Sequence, residues 1–167
     1  TVFLAVFSDS PRSLLQRGAV PDKISGTMRV VSLNCAGDAR VVDEIDGLDP
    51  DIVLLQESPA AGRVREIADR IFGDDGHVFW HSDTSIIARG ELTRIKIPPS
   101  LRANFVHARV RFESMEVDVI SLHLLPCPVR CDLWSGHCWS EYRTNRQQRR
   151  IQMKKIAKHI DSIPRTR

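Results

Sequence analysis

Along residues 28–125 short apolar runs alternate with polar breaks, and two periods can be told apart. Val64, Ile67, Ala68, Ile71 and Phe72 fall at i, i+3, i+4, i+7 and i+8, one face of a helix that Gly73 stops. Other runs are short, β-branched or apolar, and bounded by turn residues, which predicts strands. These are "MRVVSLN" at 28–34, "DIVLLQE" at 51–57, "HVFWHS" at 77–82, "SIIAR" at 85–89, "TRIKIP" at 93–98, "FVHARVRF" at 105–112 and "VDVISLHLL" at 117–125. A short helix fits 41–48, before the Asp49-Pro50 turn. A long one fits 140–161, with Ser140 as cap and Met153, Ile156, Ala157 and Ile160 at helical spacing. Pro11, Gly18, Pro21 and Gly26 interrupt the stretch before the first strand, so residues 1–27 read as a linker or truncated N-terminal segment, with at most a short helix at 13–17. The order is strand, helix, strand, helix, a strand-rich run, then a helix, which is an α/β chain.

Composition narrows this only a little. The 167 residues, 42% of them hydrophobic, suffice for one domain with a core and are few for two. Net charge is +3 and unevenly placed: residues 128–167 hold ten Lys/Arg against three Asp/Glu, so the C-terminal quarter is the candidate contact for anionic partners. Four cysteines do not make a disulfide framework in a chain of this size. The apolar run at 2–7 is far shorter than the ~20 residues that span a bilayer. It is either a cut-off strand or linker or the stump of a segment that tethered the protein to a membrane.

The candidate chemistry begins with a polar ending to a buried strand. Residues 52–55 are uninterrupted apolar, and Gln56, Glu57 and Ser58 follow at once. A strand, helix and strand on short links form a right-handed crossover with parallel strands, so Asn34 and Glu57 should end at one sheet edge. A carboxylate there needs a counter-charge. It is met either by a hard divalent cation such as Mg²⁺ or Mn²⁺, held by Glu57 and Asn34, or by an arginine or solvent. His123 interrupts another apolar strand. It is either a satisfied structural histidine or, at the same edge, a donor to a phosphoryl oxygen.

Taken together, "RVVSLNCAG" (29–37), "DPDIVLLQES" (49–58), "SIIARG" (85–90) and "VDVISLHLLP" (117–126) resemble the N-terminal half of the endonuclease/exonuclease/phosphatase superfamily, over about residues 28–160. The resemblance implies a DNase I-like α/β/β/α sandwich, of which this chain would be the first half, one mixed sheet with flanking helices. It implies Mg²⁺-dependent hydrolysis of phosphate esters, whose substrate class (nucleic acid, phospholipid or inositol phosphate) stays open. By position, Asn34 and Glu57 match the metal site and His123 the histidine that bonds the scissile phosphate. Arg143, with Gln147 or Gln148, resembles a looser Arg-x-x-x-Gln feature of the last helix, a candidate for substrate binding that reads by default as structural.

The departures are as informative. The family's Gly-Asp-x-Asn and Ser-Asp-His motifs do not occur: "GDAR" at 37–40 and "GDDG" at 73–76 lack the Asn, and "HSDT" at 81–84 lies too early. The chain reaches "DSIPRTR" where the next strand of the family would begin, so half a site and negligible turnover alone are expected. A bare apolar sheet face would then favour self-association or a completing partner. Cys127, Cys131, Cys138 and His137 lack the paired knuckle spacing of zinc modules and read as thiols in a loop, with a Cys131–Cys138 disulfide as the lesser alternative. Trp134 and Trp139 read as packing or as an aromatic lip over the substrate. The basic residues of the last helix form either a solvated face or a polyanion contact. Two functions remain: a metal-dependent phosphoesterase, and a non-catalytic half-domain that binds a polyanion or a protein.

Overall fold

A computed structural model describes residues 2–4, 26–45, 47–101, 105–124 and 136–164, without the side chains of residues 2–4, 41, 44 and 136. The chain divides into two compact units, residues 1–96 with 102–123, and residues 97–101 with 124–167.

The first unit contains two four-stranded sheets. One is built from β2 (Val30–Asn34), β3 (Ile52–Gln56), β4 (Gly76–His81) and β5 (Thr84–Arg89), in the order β2-β3-β5-β4. The other holds β1 (Val2–Leu4), β6 (Glu91–Arg94), β7 (Phe105–Phe112) and β8 (Met115–Leu122), in the order β1-β8-β7-β6. β2 and β3 are parallel, with Asn34 opposite Gln56, as the crossover requires. Between them lie a 3₁₀ turn at Ala39–Val41 and a one-turn helix α1 (Val42–Ile45), less helix than the 41–48 expectation. Helix α2 (Ala61–Phe72) buries Val64, Ile67, Ala68 and Phe72, the face its spacing defines.

β3 is apolar on both sides because both of its faces are covered. Val53 and Leu55 pack with Val64, Ile67 and Ala68 of α2, whereas Ile52 and Leu54 pack with Val106, Ala108, Val117 and Val119 of the opposite sheet. The expectation of one mixed sheet is therefore corrected: the α/β class holds, but this chain supplies two sheets whose apolar faces bury each other. The reason for expecting self-association through a bare face between them goes with it.

Gly90 makes the change of sheet. β5 ends at Arg89, β6 begins at Glu91, and the single residue between them has φ +88°. A Cβ at Gly90 would lie 2.5 Å from the Arg111 carbonyl oxygen, so only glycine fits the corner.

Within the apolar run at 2–7, for which a strand was one alternative, Val2–Leu4 is a strand that pairs in parallel with Asp118–Ile120 of β8. The short helix expected at 13–17, Cys127, Cys131 and Trp134 lie outside the described residues. Among the described residues no helix is long and apolar enough to cross a membrane.

The second unit is mainly helix α3 (Gly136–Asp161), with the 3₁₀ turn Pro99–Leu101 against it. Ser140 does not cap it. The helix starts a turn earlier, and the Ser140 hydroxyl donates to the His137 carbonyl at 2.9 Å. Cys138 is a buried free thiol, which removes the Cys131–Cys138 disulfide.

Candidate functional site

At the C-terminal ends of β2 and β3 the backbone turns sharply. Ala36 (φ +47°), Gly37 (φ +76°) and Glu57 (φ +45°) all take the left-handed conformation. Two backbone hydrogen bonds lock the turns together, Cys35 N–H to Gln56 O at 2.9 Å and Gly37 N–H to Glu57 O at 2.8 Å. A non-glycine residue at positive φ is held at a cost, and at Glu57 it turns the side chain out of the strand alternation and onto the rim.

There Asn34 Nδ2 donates to Glu57 Oε1 at 2.9 Å, and Asn34 Oδ1 accepts from the Ala36 amide at 3.0 Å. The two contacts fix the orientation of the amide: reversing it would oppose oxygen to carboxylate and N–H to N–H. Asn34 thus presents a donor to Glu57 and keeps its oxygen on the backbone.

His123 follows the last residue of β8 and reaches the same rim from the other sheet. Its Nε2 lies 3.6 Å from Glu57 Oε1, and its Nδ1 is hydrogen-bonded to Asp83 Oδ2. A carboxylate only accepts, so Nδ1 carries a proton and Nε2 points toward Glu57. Gln56 sets this approach. Its Nε2 spans to Ser121 Oγ at 3.4 Å, and Ser121 Oγ donates to Leu55 O at 3.3 Å, stapling the sheets beside Glu57 and His123.

Glu57 and Asp83 are the open groups, with side chains 40% and 37% exposed against 16% for His123. Cys35 behind them is buried and donates its thiol to Gln56 O. Burial, then the Glu57 carboxylate, pushes that thiol up to about 12, so it stays protonated and is not a nucleophile.

Among the described residues no group of three His, Cys, Asp or Glu is placed to cage an ion. The Glu57 carboxylate, open at the rim and with no described hydrogen bond on Oε2, is the group that could hold a hard divalent cation that keeps several of its waters.

The sequence candidates Asn34, Glu57 and His123 therefore stand together at one rim. Arg143, Gln147 and Gln148 are exposed on α3 in the second unit. Asp83 joins them although its segment, "HSDT", matches no motif of the family. β5 runs antiparallel to β3 with Thr84 opposite Gln56, so the residue before Thr84 must lie beside the end of β3. That pairing was the available signal.

Facing four-stranded sheets, a crossover helix and a polar rim at the ends of β2, β3 and β8 are the layout of the DNase I-like fold. No family model and no curated protein matches the chain. Solved structures do, among them two of TDP2 from D. rerio. TDP2 humanized by 14 mutations is 21% identical with a TM-score of 0.57, over 81% of this chain and 56% of that one. TDP2 complexed with single strand DNA product is 22% identical with a TM-score of 0.53, over 81% and 55%. The endonuclease domain of TRAS1, a telomere-specific non-LTR retrotransposon, is a more distant likeness at 18% identity and a TM-score of 0.44, over 76% and 54%. The TDP2 likeness establishes the fold. The chain spans just over half the length of these structures.

Proposed function

We propose that this chain carries the metal-binding half of a divalent-cation-dependent phosphoesterase of the DNase I-like fold. The observation that supports it most is the meeting of Asn34, Glu57 and His123 at one rim, with Asn34 Nδ2 2.9 Å and His123 Nε2 3.6 Å from the same carboxylate oxygen.

Glu57 would hold Mg²⁺ or Mn²⁺, which when bound neutralises charge that develops on the phosphoryl oxygens. Asn34 acts through Glu57, keeping Oε1 engaged so that the carboxylate faces outward in one rotamer. His123, its ring held by Asp83, donates from Nε2 to a phosphoryl oxygen when doubly protonated. A group that positions or deprotonates the attacking water is not among these four. Such assistance is typically worth ~10²–10⁴ in rate, so turnover by this chain alone is expected to be negligible. The remaining groups would come from the half of the fold that the TDP2 structures contain and this chain does not span. A nucleic-acid phosphodiester is the substrate class with most support, because the similar TDP2 structure holds single-stranded DNA product.

The test is hydrolysis of bis-p-nitrophenyl phosphate by the chain extended with the coding sequence that follows it, in Mg²⁺ and in EDTA. Mg²⁺-dependent hydrolysis that falls by about 10² or more in Glu57→Gln is expected, by analogy with loss of a charge-stabilising group. Equal Mg²⁺-dependent rates in the two proteins would remove Glu57 from the metal site.

A further inference from the structure

Among the described residues, several arginines outside α3 are neutralised by acidic neighbours. Arg63 pairs with Glu66, Arg65 with Asp69, Arg70 with Asp43, Arg109 with Asp118 and Arg111 with Glu91 and Glu116. Helix α3 is different. It holds seven Lys/Arg against two acids, and among the described residues no ion pair engages any of the seven. Of its two acids, Glu141 is paired with His137 at 3.2 Å.

The charges are also arranged. At 3.6 residues per turn Arg143, Arg146, Arg150, Lys154 and Lys158 fall within a sector of about 120°. Buried Cys138, Ile156 and His159 occupy the opposite side. Four-residue steps along the stripe rise about 6 Å each, so the stripe is a row of cations rather than a cluster.

Two further features lie on the same helix. Trp139 and Tyr142 are 49% and 37% exposed, with rings edge to face at 6.1 Å. A cavity of about 840 Å³ is lined by Arg146, Arg149, Arg150 and Lys154 together with Ile151 and Met153, cations around apolar walls.

We propose that the exposed face of α3 binds single-stranded nucleic acid. The basic row holds successive phosphates, and Trp139 with Tyr142 offers a stacking surface to an unpaired base. A row of cations beside exposed rings is what a backbone and its bases need together, and bases offer their faces to rings only when unpaired. A lipid surface fits less well, because a helix lying in a membrane interface inserts its apolar face, and that face of α3 is the buried one. The inference does not depend on the metal site.

Its test is fluorescence anisotropy of a fluorescein-labelled oligothymidylate of about 20 nucleotides, long enough for one site, titrated with the chain in EDTA. The triple variant Arg146→Glu, Arg150→Glu, Lys154→Glu should bind at least about tenfold more weakly, and its log–log salt slope should shrink by about 2, near 0.7 for each phosphate that is no longer neutralised. The neutral triple Arg146→Gln, Arg150→Gln, Lys154→Gln should show the same slope change and guards against a folding defect in the first. Trp139→Ala should weaken binding about fivefold or more. An oligonucleotide that is not bound at low salt, or is bound equally by both triple variants and the wild type, overturns the proposal. So does capture of the chain by phosphatidylserine vesicles without oligonucleotide binding, which would make the surface a lipid contact.

Discussion

The two ends of β3 carry the same chemistry in opposite settings. Asp51, just before the strand, is fully buried, and its Oδ2 accepts from the Arg29 amide at 2.8 Å. Its own backbone ties the neighbours in, with Asp51 N–H to Arg29 O at 2.8 Å and Arg89 N–H to Asp51 O at 2.9 Å. Glu57, just after the strand, is 40% exposed and turned outward by a left-handed backbone, with one side-chain amide on Oε1. A carboxylate closed by the main chain splices strands together. One held by a single amide, with an oxygen facing out, can take a ligand.

Substitutions at the two ends should therefore separate stability from function. The largest effect is expected at the open end: in the extended protein Glu57→Gln should lower Mg²⁺-dependent hydrolysis by about 10² or more, with unfolding free energy within about 1 kcal/mol of wild type. Asp51→Ala should do the reverse. It leaves the half-buried Arg29 amide without its acceptor, a loss of about 1–3 kcal/mol by urea denaturation, with activity per folded molecule retained. If Asp51→Ala kept full stability, the distinction between the two ends would fail.

A finer test lies at Asn34. If it only orients Glu57, Asn34→Ala should weaken Mn²⁺ affinity by about 10–100-fold, the usual scale for a residue behind a ligand, and Asn34→Asp should not mimic it. The smallest effect concerns pH. Burial lowers the His159 imidazole from its ordinary value of 6.5. The unfolded chain then binds the proton more readily, so stability is full above about 6.5 and declines as pH falls through the lowered folded value. His159→Gln should flatten that acid limb of the thermal-unfolding profile, and the comparison of Asp51 with Glu57 is cleanest above it.

What could be read in advance was whatever a local pattern carries. α2 was legible because five apolar positions share a face, and Glu57 because a carboxylate breaks a run that must be buried. His123 stood out for the same reason. Sheet membership was not legible. β5 and β6 are one residue apart and read alike, yet Gly90 sends them to different sheets, and the space that forbids a side chain there is made by Arg111, twenty-one residues on. Asp83 escaped because its partner, His123, is forty residues away and the contact exists only after two sheets are stapled through Gln56 and Ser121. The start of α3 is not legible at Ser140, which has the chemistry of a cap while its hydroxyl serves the turn before it.

The central claim, that the open end of β3 holds a divalent cation, can be tested on this chain without turnover. Mn²⁺ added to the ¹⁵N-labelled protein should broaden the Gly37 and Ser58 amides first, since Gly37 N–H bonds the Glu57 carbonyl and Ser58 follows Glu57 in the chain. That broadening should vanish in Glu57→Gln. Unchanged broadening in the variant, or broadening centred on the Asp51 end, would contradict the account.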